Sequence, residues 1–86
     1  MKKYAVVITF SFSPQVSVML FDTWDEGMNF IKKDILEEHN YDIENEFDSE
    51  YVIHDEDGTA TLTAHFGDGD DVTEWKIGEV FNLEDM

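Results

Sequence analysis

Apolar and polar residues alternate along this 86-residue chain at two different periods, and the changes of period mark its elements. YAVVITF (4–10) and VSVMLF (16–21) read as strands, joined by the turn-like SFSPQ that holds the only proline. The first strand is apolar on both faces, with Val6, Ile8 and Phe10 on one and Ala5 and Val7 on the other. A strand covered on both sides belongs in the interior of a sheet. The period then lengthens to that of a helix. Trp24, Met28, Ile31 and Ile35 share one narrow stripe, Thr23 and Glu26 form a T-x-x-E capping box ahead of it, and Asn40 is the expected stop. YDIENEFDSE (41–50) reads as an acidic connector without an assigned element.

Period two returns in the C-terminal half. EYVIHDED and TATLTAHF flank Asp57-Gly58, a two-residue hairpin signal. With 57–58 as the loop, Glu56 pairs with Thr59, Ile53 with Leu62 and Tyr51 with Ala64. Keeping Trp75 and Ile77 on the same apolar side sets them opposite Ala64 and Leu62. That choice pairs Phe66 with Thr73 and leaves GDGDDV (67–72) as the second loop. The expectation is an α+β fold over residues 1–86: a single helix packed on one face of a mostly antiparallel five-stranded sheet, β-β-α-β-β-β.

Charge changes this picture most. Against 21 Asp and Glu stand five lysines and no arginine, for a formal net charge of -16, and the charge is segregated. Residues 4–21 hold no charged side chain, whereas 22–57 hold fourteen of the acids. Self-repulsion on this scale opposes the folding of a small domain. The 42% hydrophobic content and the clean periodicities still predict a folded chain rather than a disordered one. A surface this negative is repelled by nucleic acid and by anionic membranes, so direct binding to either is not expected. The absence of cysteine excludes disulfides and thiolate metal sites. No apolar run approaches membrane-spanning length and MKKYAVVITF lacks a signal-peptide pattern, so the expected location is cytoplasmic.

Candidate chemistry is sparse. There is no G-x-S-x-G elbow and no phosphate-cradling glycine loop leading into a helix, so neither an enzyme nor a cofactor is expected. A calcium loop opening at Asp68 would put Thr73 where a turn glycine is required and a strand where a helix must follow; GDGDD reads as a turn. The hairpin register sets Glu50, His65 and Glu74 in one row across the outer sheet face, the nearest approach to a metal-ligand set. His54 is placed opposite Thr61, out of reach of that row, so no second histidine joins it and it reads as a solvated charge pairing with no metal assigned.

The helix is more acidic than its own stability requires, because Glu37 and Glu38 lie toward its negative end. Phe30 lies off the core stripe, among Glu26, Lys33, Asp34 and Glu37. It either packs onto the connector, against Ile43 or Phe47, or serves as an apolar anchor ringed by carboxylates. The candidate partner-binding residues are Glu26, Phe30, Asp34, Glu37, Glu38, Asp42, Glu44, Glu46, Asp48, Asp55, Glu56 and Asp57. Acid-rich FDTWDEG, YDIENEFDSE and HDEDG, on a short chain of two strands, a helix and three strands, resemble the small acidic proteins of phages and mobile elements. That group includes the anti-CRISPR and anti-restriction proteins that mimic DNA. The resemblance is one of composition and coarse topology and transfers no residue role. It implies a non-enzymatic inhibitor that occupies the basic nucleic-acid-binding surface of a partner enzyme. The alternative is a generic acidic interaction protein that binds through its apolar sheet face. Val7 and Met19, left bare by a single helix, also lead us to expect a weak homodimer.

Overall fold

A computed structural model describes residues 3–67 and 69–80. Its elements are β1 (Tyr4–Phe10), β2 (Ser13–Phe21), α1 (Trp24–Glu44), β3 (Asp48–His54), β4 (Thr59–Phe66) and β5 (Gly69–Glu79). The five strands form one antiparallel sheet in the order β2-β1-β5-β4-β3, and α1 packs on one face of it. This is the expected α+β architecture. The doubly apolar β1 lies between β2 and β5, inside the sheet. The helix carries the chain from one sheet edge, β2, to the other, β3.

Thr23 caps α1 through its hydroxyl, which accepts from the Glu26 backbone N–H at 3.1 Å. Behind the cap, Met28, Ile31 and Ile35 pack onto Val6, Ile8, Ala60, Leu62, Trp75 and Ile77. Each large apolar side chain buried this way contributes about 1.5–3 kcal/mol. A Cβ at Gly27 would collide with the Ile77 side chain, so glycine is what lets the helix backbone approach β5 this closely.

The helix does not stop at Asn40. It runs to Glu44 and is capped by Asn45, whose side-chain amide donates to the Tyr41 carbonyl at 2.8 Å. Tyr41–Glu44 of the expected connector are therefore helical. The chain leaves through Glu46 at a φ of 63°. The Glu46 N–H donates to the Ile43 carbonyl at 3.1 Å and the Phe47 N–H to the Asp42 carbonyl at 2.8 Å. These are the paired bonds of a Schellman motif, with glutamate in the left-handed position that glycine usually holds. The true stop carries no glycine, so the usual sequence signal of a helix end is missing there.

The two C-terminal hairpins keep the expected faces but not the expected registers. β3 and β4 pair Tyr51 with Leu62 and Ile53 with Ala60, and His54 stands opposite Thr59 rather than Thr61. The loop between these strands is 55–58, not 57–58. β4 and β5 pair Ala60 with Trp75, Leu62 with Thr73 and Phe66 with Gly69. Gly69–Val72 thus belong to β5 instead of the loop, while Asp68 lies outside the described residues. The corrections amount to shifts of two and four residues. Even shifts leave the same side chains on the buried face, so alternation cannot distinguish them. Gly58 does. It sits at a φ of 70° against Trp24 and Ile77, its carbonyl accepts from the Ile77 N–H at 2.8 Å, and a Cβ there would strike both side chains.

Candidate protein-binding surface on the acidic helix

Seven acids (Asp25, Glu26, Asp34, Glu37, Glu38, Asp42, Glu44) share α1 with Lys32 and Lys33, and the last turn holds no basic residue. Continued at helical spacing, the buried stripe of Ile31 and Ile35 reaches Glu38 and Asp42, so the sheet-side stripe turns acidic in the last turns. Asp34 lies one turn before Glu38 and Asp42 one turn after, each about 6 Å along the axis. The Glu38 carboxyl is held above the usual glutamate range, first by partial burial and then by Asp34, Asp42 and Glu37. Among the described residues Lys33 makes no ion pair, and Lys32 turns to Asp55 at 2.8 Å. The row is uncompensated.

The structure divides the sequence-predicted residues by role. Asp34 points inward, and its Oδ2 accepts from the Trp75 indole N–H at 2.9 Å, fastening helix to sheet. Phe30 packs its ring against Phe21, with centroids 5.3 Å apart, and supports the core edge. It is neither packed on the connector nor an exposed anchor. Phe47 instead meets Phe66 at 5.3 Å, and Ile43 stays exposed. Glu26, Glu37, Glu38, Glu44, Glu46 and Asp48 are exposed, and Asp42 is half-buried. Asp55, Glu56 and Asp57 are exposed too, but in a loop whose last residue, Gly58, lies against Trp24 at the start of the helix. The predicted acids therefore fall into groups at the two ends of α1.

Sequence reading missed the exposed apolar groups within the acidic end. Tyr41 and Ile43 are 60% and 56% exposed on the last turn of α1, beyond the expected stop at Asn40. Continuing the helical period would have found them. It also missed His39, whose Nδ1 lies 2.8 Å from the Ser49 hydroxyl and whose ring meets Tyr51 at 5.0 Å. Ser49 is the buried polar residue of β3, and this contact holds the helix C-terminal half on the sheet edge.

On the outer sheet face His65 does lie between two carboxylates, but they are Asp70 and Glu50. Its Nδ1 is 2.9 Å from Asp70 Oδ1 and its Nε2 is 3.3 Å from Glu50 Oε1. Hydrogen bonding to Asp70, then to Glu50, raises its pKa above the ordinary histidine value. Glu74 stands instead between Thr61 and Thr9, displaced by the shift in the β4–β5 register, so the expected row of three does not form. Among the described residues no three His, Asp or Glu side chains gather as a metal-ligand set. The same face carries a shallow concavity of about 610 Å³ lined by Ala5, Val7, Thr9, Thr61, Lys76 and Gly78, among others. Val7 belongs to it. Met19 does not, because it pairs with Val6 and so lies on the helix side.

Fold and charge together define a small α+β protein with an uncompensated acidic helix end. Comparison of the chain with protein-family models, curated proteins and solved structures gives no match. Among the described residues no helix is long and apolar enough to cross a membrane.

Proposed function

We propose that this protein is a non-enzymatic binding module whose acidic helix end docks onto a basic, nucleic-acid-binding surface of a partner enzyme. The observation that carries the reading is the row Asp34, Glu37, Glu38 and Asp42, held together without a cation. Like charges one helical turn apart cost about 0.2–0.5 kcal/mol per pair. Glu44 and Glu46 add negative charge at the negative end of the helix dipole. The left-handed backbone of Glu46 costs a further ~1–2 kcal/mol. A domain with only a few kcal/mol of margin retains all of these unfavourable terms in one place. Lysine and arginine side chains in a nucleic-acid groove are arranged to neutralise successive negative charges, and they would offset these terms together. Tyr41 and Ile43, exposed among the acids, supply the apolar contact that charge alone lacks. The concave outer sheet face supports a second reading, a partner met through apolar and threonine side chains.

The test is a binding titration with the basic partner recovered from a host lysate, at low and high salt and with competing duplex DNA. Wild-type affinity is expected to fall steeply with salt and to be lost to excess DNA. A variant with Glu37, Glu38, Glu44 and Glu46 all changed to Gln should bind more weakly while folding at least as stably. Binding that withstands both salt and DNA overturns the mimicry reading and favours the sheet face.

A further inference from the structure

The two edges of the sheet are unequal. An open edge presents unpaired backbone donors and acceptors, and soluble proteins usually guard it with charge, proline or a bulge. β3 is guarded by Asp48 and Glu50 and by the helix, through His39 and Ser49. β2 is not. From Gln15 to Phe21 it holds no charge and no proline, and its pairing with β1 is regular from Val16 onward. Val16, Val18 and Leu20 are 57%, 55% and 51% exposed on the outer face, and Met19 is 44% exposed on the helix side.

We propose that β2 pairs antiparallel with β2 of a second copy of this chain, fusing two sheets across a two-fold axis at Val18. Charge selects this edge. Residues 4–21 are free of charged side chains, whereas a β3–β3 seam would gather Asp48 and Glu50 of both copies in one interface. In the sheet order β3 lies four strands from β2, roughly 19 Å at the usual strand spacing. That exceeds the Debye length of about 8 Å at physiological salt. The register follows from the limits of the run. Pro14 has no N–H to donate and β2 ends at Phe21, so the usable strand is 15–21 and its midpoint is Val18. Val16 then faces Leu20 of the second copy and Ser17 faces Met19. The outer-face residues of the two strands form one apolar band continuous with Ala5 and Val7. The acidic helix ends remain free, so this pairing does not rest on the proposed function.

Sedimentation velocity over a range of protein concentrations tests it, at low salt and at ~1 M sodium chloride, where the Debye length is about 3 Å. A monomer–dimer equilibrium that shifts to dimer with salt is expected. Val18→Lys should abolish the dimer by placing two lysines face to face, even though it lowers the net negative charge. Val52→Lys makes the same charge change on β3, where the native side chain is 51% exposed, and should leave the dimer intact. Circular dichroism confirms that both variants fold. In a chain without cysteine, Val18→Cys should oxidise to a covalent dimer and Val52→Cys should not, because directly opposed Cα atoms lie about 4.5–5.5 Å apart, within disulfide reach. A monomer under every condition, a Val18→Lys variant that dimerises like wild type, or equal cross-linking at 18 and 52 would each overturn the proposal.

Discussion

Replacing Glu38 with Gln removes one charge from the crowded helix end and keeps the side-chain shape. Asp34 and Asp42 each stand at i, i+4 from Glu38. Relief of two such like-charge pairs is worth about 0.4–1 kcal/mol at low ionic strength, and less in salt because Glu38 is exposed. For a domain of this size the melting temperature should rise by about 2–8 °C. The pH dependence has a definite sign. With its folded pKa above the ordinary 4.5, Glu38 loses its proton in the unfolded chain first. Wild type therefore loses stability as pH rises from that value through the folded one, and the loss persists at neutral pH. The Gln variant is spared it. Parallel urea unfolding below the glutamate range and at neutral pH should show no difference in the acid and the full gain at neutrality, shrinking with added salt. A variant less stable than wild type at neutral pH, or equally stabilised at both, would refute the like-charge account. In the partner titration the same substitution should weaken binding, so stability and affinity move in opposite directions.

Two further outcomes follow from named contacts. Asp34→Ala leaves the buried Trp75 indole N–H without its acceptor and should cost about 1–3 kcal/mol in urea unfolding. Asp34→Asn keeps an oxygen and lowers the repulsion on Glu38, so it should cost clearly less; equal losses would show that the bond contributes nothing. The raised His65 pKa means that its stabilising contribution is complete below the ordinary 6.5 and is lost as pH rises through the folded value. In an NMR titration Asp70→Asn should lower that pKa and Glu74→Gln should leave it unchanged. A response to Glu74 would contradict the observed register.

Much of the fold can be read in the sequence, down to the limits of β1, the Thr23 cap and the face on which each strand buries its apolar residues. Side-chain direction repeats every two residues in a strand and every 3.6 in a helix, so it is a local property of the chain. The segregation of charge is equally local. Tertiary structure settled the strand order, the pairing of β1 with β5, and the registers that differ by even shifts. It also sorted the acids: Asp34 holds Trp75, Glu38 repels its neighbours, and Asp70 takes the place expected of Glu74 beside His65. The strand order and the Asp34–Trp75 bond depend on groups far apart in sequence. Trp24 at the start of α1, Gly58 and Ile77 meet in the observed register, and no local period carries that information.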